Sequence, residues 1–183
     1  MTTVTAARRL NWGCGGAGEP GWINSDRKEG PEVDLCCDIR AGLPLADDSI
    51  DYAVSIHALP EVPLVDLVPV LAELRRVLRP GGALRLALPD LERGMTAYLE
   101  GNRGYFLVPD DDASSLGGKL VTQLLWYGWS RSLFTADFTE ELLRRAGFAD
   151  IRHVAYGMTS TTHPEIVELD NRPDESLFVE AVK

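Results

Sequence analysis

The sequence predicts one α/β domain built on a mainly parallel sheet, and three observations support this prediction. Short apolar stretches typical of buried strands alternate along the chain with stretches whose apolar residues recur at helical spacing. A glycine-rich turn follows the first strand, and acidic residues follow the next two. The 183 residues can bury a substantial core, and no repeat or linker divides them.

The first part of the chain predicts four strands before any long helix. Residues 10–12 form a short strand that runs into the glycine turn 13–18, and residues 21–26 form the second. Only about eight residues separate these strands, whereas parallel strands usually need a crossover of ~10–12 residues, so a full helix does not fit between them. Residues 33–37 and the near-continuous apolar run 50–56, typical of a strand buried on both faces, complete the four.

The remainder predicts helices followed by two further strands. Apolar residues at helical spacing begin after Asp66, a candidate N-cap, and end before the sequence Arg-Pro-Gly-Gly at 79–82. Residues 83–88 are the predicted fifth strand. A helical segment of about 91–134 follows, interrupted by an acidic loop at 109–115. The other predicted elements are helices at 91–100, 116–129 and from Thr135 to Gly147, strands at 150–156 and 176–182, and a loop at 157–175.

Composition excludes several classes of function. The net charge of −10 disfavours nucleic acid and anionic membranes as partners, and no apolar run approaches the ~20 residues of a membrane span. Cys14, Cys36 and Cys37 form no Cys-x-x-Cys pair, which favours reduced thiols over zinc or disulfides. Residues 1–9 lack the apolar core of a signal peptide, so we expect a cytoplasmic protein. The acidic run at 110–112 has no metal-ligand spacing and predicts a solvated loop; no metal is expected.

Candidate ligand-binding residues follow successive strands. Ligands of open parallel sheets bind beyond the carboxyl ends of the strands, where this chain has the glycine turn, Asp26, Asp38, residues 55–57 and Asp90. Glycines let backbone N–H groups approach a ligand closely. One carboxylate can accept both ribose hydroxyls and the other the exocyclic amine of adenine. Each aspartate taken alone could instead cap a turn, but the set predicts a nucleoside site.

Five segments resemble the class I S-adenosylmethionine-dependent methyltransferases, and together they cover nearly the whole chain. Within that family the resemblance is to a compact, type 11-like subgroup whose ending is similar to Asn-Arg-Pro-Asp-Glu-Ser-Leu at 171–177. The segments are Leu-Asn-Trp-Gly-Cys-Gly, Gly-Trp-Ile-Asn-Ser-Asp, Asp-Ile-Arg-Ala-Gly-Leu-Pro-Leu-Ala-Asp-Asp-Ser-Ile-Asp, Arg-Val-Leu-Arg-Pro-Gly-Gly and Ala-Gly-Phe. The resemblance implies a Rossmann-like sheet of seven strands in the order 3-2-1-4-5-7-6, with the last strand antiparallel, and S-adenosyl-L-methionine as cofactor.

The resemblance also implies roles for individual residues. Gly13 and Gly15 would line the methionine part of the cofactor, and Ser55 and Ile56 would flank the methionine and the sulfonium. Asp26 would bind the ribose. Asp38 and the backbone of Ile39 would bind the adenine. Two positions depart from the family pattern. Asn11 stands where relatives often carry an acid, so any contact with the cofactor's amino group is through an amide. The sequence Leu-Pro-Glu at 59–61 replaces Leu-Glu-His and lacks the histidine.

Catalytic and substrate-binding candidates lie nearby. His57 follows strand four and is the best candidate for a general base, because the unperturbed imidazole pKa of ~6.5 suits neutral pH. Asp90 is the second candidate. The alternative for His57 is a capping role in a loop, and for Asp90 an N-cap of the next helix. The residues predicted to cover the substrate, unless they simply pack, are Trp126, Tyr127, Trp129 and Arg131, the last a possible anion ligand.

Three functions remain open at this point. The first is methyl transfer from S-adenosylmethionine to an oxygen or nitrogen of a small molecule, by in-line displacement. The second is a non-catalytic relative that acts through cofactor or protein binding, because the family histidine is missing. The third is an NAD-dependent oxidoreductase, which the absent first helix disfavours. A homodimer is compatible with each.

Overall fold

The structure, a computed structural model, describes residues 7–183 and contains one seven-stranded sheet in the order β3-β2-β1-β4-β5-β7-β6. Strand β7 runs antiparallel to both β5 and β6, and the other neighbours are parallel. The strand order and the antiparallel last strand are therefore confirmed. The strands are β1 Arg9–Trp12, β2 Ile23–Asp26, β3 Leu35–Cys36, β4 Ile50–Ile56, β5 Leu78–Pro89, β6 Asp150–Val154 and β7 Ser176–Val182.

Helices connect the later strands of the sheet. They are α1 Leu67–Val77, α2 Leu91–Leu99, α3 Leu116–Leu125 and α4 Ala136–Arg145. Within residues 7–183, none of the helices combines the length and the apolar character that crossing a bilayer requires. The predicted absence of a signal peptide rests mainly on residues 1–6, which lie outside the described residues.

Two different layers cover the central strand β4. Helices α1 and α4 pack on one face, where Leu71 and Leu74 are buried in the main core. The other face is covered by the loop between β6 and β7, whose 3₁₀ turn buries Ile166 against Trp22 and Tyr52. The apolar run of β4 is thus buried on both sides, as predicted, although a loop rather than a helix forms the second layer.

A buried ion network anchors that loop to the sheet. The guanidinium of Arg85 on β5 is fully buried; its Nε donates to Asp170 Oδ1 at 2.7 Å and its Nη1 to Glu180 Oε1 at 2.7 Å. Glu180 Oε2 accepts from Ser160 N at 2.7 Å. The network contains one more acid than base, and its remaining oxygens accept backbone N–H groups, which compensates the buried charge. It holds residues 157–170 against the strands.

Several predicted boundaries were wrong. Helix α3 ends at Leu125, not at 129, because Trp126 and Tyr127 have left-handed φ values of 42° and 56° that a right-handed helix cannot include. Strand β5 begins at Leu78, because this residue pairs with Ile50 across a register shift. Asp66 stands at the N-terminus of α1, but its side chain makes no capping hydrogen bond.

Candidate active site

Three adjacent cavities lie at the carboxyl ends of the strands, and Gly13 lines all of them. Cavity A, of about 150 Å³, lies between the turns that follow β2 and β3. Cavity B, of about 250 Å³, lies beneath α2, α3 and the bend that follows α3. Cavity C, of about 440 Å³, lies between the glycine turn and residues 168–172. One ligand that passes Gly13 can therefore reach more than one cavity.

The glycine turn requires glycine at its first position. Gly13 has a φ of 72°, its N–H donates to Ser25 O at 2.7 Å, and a Cβ added there would lie 2.1 Å from the Cβ of Ala58. Gly15 also has a positive φ, of 58°. The described residues 13–22 contain no helix. The predicted turn without a following helix is therefore present, and a helix N-terminus to hold a diphosphate is lacking here.

The carboxylate of Asp26 is held beside this turn. Its Oδ2 accepts from Gly15 N at 2.9 Å and its Oδ1 from Lys28 N at 2.9 Å. The residue lines both cavity A and cavity B. An ionised carboxylate offers about four lone-pair positions, so two hydrogen bonds leave acceptor capacity for a pair of ligand hydroxyls.

Asp38 and Ile39 line cavity A together. Asp38 caps the short 3₁₀ turn Ile39–Ala41 by accepting from Arg40 N at 3.0 Å, and the Arg40 guanidinium lies 2.6 Å from its Oδ2. The hydrogen bonds from Arg40 lower the pKa of this carboxyl, which therefore stays ionised at neutral pH. Asp38 therefore caps a turn and also lines cavity A; its contact with adenine stays a prediction.

The other cofactor candidates separate into two groups. Asn11 and Ile56 line cavity C, and Ile56 also lines cavity B. Asn11 Nδ2 donates to Asn24 Oδ1 at 3.0 Å, which leaves Asn11 Oδ1 as a free acceptor among the described residues. Ser55, in contrast, is fully buried within β4 and lies outside the lining of the three cavities; its hydroxyl has no partner among residues 7–183.

His57 lies where cavities B and C meet. It has a left-handed φ of 55°, and its Nε2 lies 2.7 Å from Ser176 Oγ. Burial, followed by the positive charge of Arg172, lowers the pKa of His57 to about 3. The imidazole is therefore neutral at physiological pH, because the site desolvates the ring. The role of His57 as a general base stays a prediction, and its lowered pKa disfavours that role.

Asp90 lines cavity B and also begins α2. Its Oδ1 accepts from Glu92 N at 3.0 Å and Arg93 N at 3.1 Å, while Oδ2 lies 3.2 Å from Arg93 Nε. The capping alternative is thus realised, with the carboxylate still at the wall of the cavity.

The four residues predicted to cover the substrate do not line one common cavity. Trp126 and Trp129 line cavity B, and Arg131 lines cavity A. Tyr127 lies outside these cavities and donates its hydroxyl to Asp112 Oδ2 at 2.5 Å. The two tryptophans therefore stay candidates for substrate contact, whereas the geometry gives Tyr127 a role in holding the acidic loop.

Sequence reasoning missed four residues around cavity B. Arg172 and Glu175 line it and form an ion pair at 2.8 Å, while Ser176 contacts His57. Tyr105 also lines it; burial, with the charges of Asp90 and Glu175, raises the pKa of its phenol to about 12. The sequence identifies the segment 171–177 only by its similarity to a family ending, and nothing in its spacing indicates that it folds back to the glycine turn.

Comparison with known proteins supports the fold. Residues 12–86 match the family model of a methyltransferase domain, and no curated protein matches the chain. An S-adenosylmethionine-dependent methyltransferase of Thermotoga maritima, a possible histamine N-methyltransferase, is 20% identical with a TM-score of 0.60, over 99% of this chain and 84% of that chain. One from Mesorhizobium loti is 22% identical with a TM-score of 0.57, over 100% and 94%. One from Archaeoglobus fulgidus is 13% identical with a TM-score of 0.60, over 97% and 87%.

Proposed function

We propose that this chain is a methyltransferase that uses S-adenosyl-L-methionine as its cofactor and that it methylates a small molecule with an apolar or ring-shaped part. The match of residues 12–86 to a methyltransferase domain and the fold shared with solved methyltransferases support this proposal. The observation that carries this proposal is the junction of cavities A and B at Gly13, Gly15 and Asp26. A nucleoside in cavity A would bring its 5′ end to that junction, facing a second cavity with aromatic walls.

The residues around cavity A fit the cofactor's adenosine. Gly13 and Gly15 line this cavity and carry no side chain, so their backbone can lie directly against a ligand. Asp26 offers acceptors for the ribose hydroxyls, and Asp38 with the backbone of Ile39 offers partners for adenine. When bound, the cofactor supplies a methyl group on a positively charged sulfur, an electrophile that needs no activation by the protein.

The residues around cavity B orient the acceptor and exclude water. Tyr105, Trp126 and Trp129 form ring-bearing walls suited to an apolar acceptor. Holding the acceptor in line with the methyl group supplies much of the rate enhancement for a displacement of this kind. The atom that accepts the methyl group can be an oxygen or a nitrogen.

We propose nitrogen as that atom. A hydroxyl must lose its proton to attack well, and an efficient base has a pKa near the working pH. With a pKa of about 3, His57 is a weak base, and both oxygens of Asp90 already accept hydrogen bonds or face Arg93. A neutral amine attacks with its own lone pair: the N–C bond forms, the C–S bond breaks, and the positive charge moves to nitrogen.

Two further expectations belong to this proposal. We treat the whole chain as one domain, with the segment 91–134 as the substrate cover. The net charge of −10 supports a free small molecule in the cytoplasm as acceptor, rather than nucleic acid or a membrane-bound lipid.

A thermal-shift series tests the proposal. S-adenosylmethionine and S-adenosylhomocysteine should stabilise the protein, by ~2.7 kcal/mol at 100 times Kd, and NAD should not. Formation of S-adenosylhomocysteine is then followed with matched amines and phenols. Stabilisation by NAD alone contradicts the proposal in favour of an oxidoreductase, and the absence of any shift favours the non-catalytic alternative. Turnover of phenols but not of amines contradicts the choice of nitrogen.

A further inference from the structure

Three side chains that line cavity B carry hydrogen-bond donors without a partner among residues 7–183, and the function proposed above uses none of these donors. They belong to Tyr105, Gln123 and Arg172. We propose that the methyl acceptor is an aromatic compound that carries a carboxylate, and that Arg172 binds this carboxylate, with Gln123 and Tyr105 as further donors. The inference rests on the proposed function, because it names the class of the acceptor.

The guanidinium of Arg172 keeps one complete edge free. Its Nη1 donates to Glu175 Oε1 at 2.8 Å, and its Cζ lies 5.6 Å from the centre of the Trp126 ring, which lines the same cavity. Within residues 7–183, neither Nε nor Nη2 of Arg172 has a hydrogen-bond partner. These two nitrogens form one edge of the planar group, which can bind a carboxylate through two parallel hydrogen bonds. A single carbonyl oxygen cannot form such a pair, so the free edge favours a carboxylate.

Gln123 adds a donor from helix α3. The residue is only 9% exposed, and its Oε1 accepts from Leu107 N at 2.7 Å. This hydrogen bond fixes the orientation of the amide, because it identifies the oxygen as the end that faces the backbone. The amide nitrogen has no partner among the described residues. Buried polar groups are normally hydrogen-bonded, so a donor at the wall of a cavity is suited to an oxygen of a ligand.

The phenol of Tyr105 is also a donor at neutral pH. Burial, followed by the charges of Asp90 and Glu175, raises its pKa to about 12, so the hydroxyl keeps its proton. Tyr105 lies two positions before Leu107, whose N–H contacts the Gln123 side chain. The phenol and the amide therefore come from neighbouring parts of the cavity wall, and the effect of Glu175 on the phenol places Arg172, its partner, on the same side.

The acids of cavity B do not oppose this assignment. Four carboxylates line the cavity, and each is engaged within the described part of the chain: Asp26 with Gly15 N and Lys28 N, Glu61 with Arg27 at 2.8 Å, Asp90 with Arg93 at 3.2 Å, and Glu175 with Arg172 at 2.8 Å. The two acids that act on the phenol are thus each paired with an arginine. A ligand carboxylate therefore meets compensated acids and free donors.

The walls and the weak base define the rest of the acceptor. Phe106, Trp126 and Trp129 line cavity B and suit a ring. The attacking nitrogen must be neutral, and His57, with a pKa of about 3, is too weak a base to deprotonate an alkylammonium group. An arylamine is already neutral at pH 7. After the methyl group has moved from sulfur to nitrogen, the methylated nitrogen releases one proton to water. Aminobenzoates combine a ring, a neutral amine and a carboxylate, and they serve as probes.

Calorimetric titration of the complex with S-adenosylhomocysteine tests the inference. The ligands are the ortho, meta and para isomers of aminobenzoate, which differ in the position of the amine, and the corresponding aminobenzamides, which have the same shape without the charge. At least one acid should bind about tenfold or more tightly than its amide, the usual effect of a charged hydrogen bond. Arg172→Gln should remove this preference and change the affinity for the amide less than about twofold. Arg152→Gln, which replaces an exposed arginine on β6, should keep the preference.

A second variant keeps the test decisive if Arg172→Gln does not fold. Gln123→Glu preserves the oxygen that accepts from Leu107 N and replaces the free amide nitrogen with a carboxylate oxygen. It should weaken binding of the acid by about tenfold and change binding of the amide less than about twofold. Equal affinities of the wild-type protein for acids and amides contradict the inference, as does a preference for the acid that survives in either variant. Equal losses for acid and amide in Arg172→Gln would mean that Arg172 only shapes the cavity.

Failure of the proposed function gives a different result. A wild-type protein that binds no S-adenosylhomocysteine contradicts the proposed function and, with it, the acceptor. A wild-type protein that binds S-adenosylhomocysteine but does not distinguish the acids from their amides contradicts only the inference about cavity B.

Discussion

The imidazole Nε2 of His57 lies 2.7 Å from the hydroxyl oxygen of Ser176, although 119 positions separate the two residues in the chain. The contact joins the end of β4 to the start of β7, and His57 lines both cavity B and cavity C. In a neutral ring, Nε2 either donates to the serine hydroxyl or accepts from it, so both tautomers can form this hydrogen bond. The site therefore keeps the imidazole uncharged, and two measurable consequences follow from its lowered pKa.

The first consequence concerns stability against pH. His57 has a pKa of about 3 in the folded chain against 6.5 for the free side chain, so the unfolded chain binds the proton more readily. The contribution of His57 to stability is complete above pH 6.5 and is lost as the pH falls towards 3. By pH 5 the loss should reach ~2 kcal/mol. His57→Asn, which tolerates the left-handed backbone and does not titrate, should be less sensitive to pH by this amount.

Urea unfolding of the two proteins at pH 7.5 and pH 5 measures the difference. Parallel pH dependences for the wild type and His57→Asn would show that the ring is solvated and titrates normally.

The second consequence concerns activity, since the rate of methyl transfer should show no inflection near pH 6.5 from His57. An inflection there that disappears in His57→Asn would restore the histidine as a general base.

Substitution in the glycine turn should separate steric from conformational effects. Gly13→Ala places a Cβ 2.1 Å from the Cβ of Ala58 at a φ of 72°, so we expect a loss of ~2–4 kcal/mol in the free energy of unfolding and no binding of S-adenosylhomocysteine. Gly16→Ala meets nothing within 4 Å and should stay within ~0.5 kcal/mol of the wild type. The double variant Gly13→Ala/Ala58→Gly removes the clash but not the strain, and should recover part of the loss. Denaturant unfolding of the three variants measures these effects, and equal stability of Gly13→Ala and Gly16→Ala would contradict the close approach.

Much of the region around the glycine turn and cavity A was predictable because it depends on local sequence. A strand followed by glycines and then by a second strand after about eight residues leaves no space for a helix, whatever the rest of the chain does. The residues of cavity A, Asp26 and Asp38 among them, follow directly from strand ends and from the family resemblance.

The surroundings of cavity B were less predictable because long-range contacts determine them. The apolar pattern of α3 continues past Leu125, and the left-handed bend at Trp126 and Tyr127 is accompanied by contacts with Arg172 and Asp112 that no local pattern contains. The pKa of His57 depends on burial, which the sequence around it does not express. The fully buried Ser55 shows the same effect in reverse, since a position at a strand end does not guarantee that a side chain faces the ligand.

Removing the charge of Asp26 should weaken binding of the cofactor. The carboxylate accepts from Gly15 N and Lys28 N and keeps acceptor capacity for the ribose hydroxyls that the proposed function places beside it. Asp26→Asn should therefore reduce the affinity for S-adenosylhomocysteine by ~10–100-fold. Glu32→Gln is the matched control, because Glu32 Oε2 accepts from Gly18 N at 2.9 Å in the same turn but lies outside the three cavities. Calorimetric titration measures both variants. Similar affinities for Asp26→Asn and Glu32→Gln would remove Asp26 from the binding site.

Disrupting the buried network around Arg85 should reduce the free energy of unfolding more than any of the substitutions above. Arg85→Met leaves the carboxylates of Asp170 and Glu180 buried without their cation, and breaking a buried pair in this way usually costs ~3–5 kcal/mol. Arg145→Met removes an exposed arginine, 3.4 Å from Glu141 on the surface of α4, and should cost less than ~0.5 kcal/mol. Urea unfolding compares the two. Equal losses of stability for Arg85→Met and Arg145→Met would contradict the importance of the buried network.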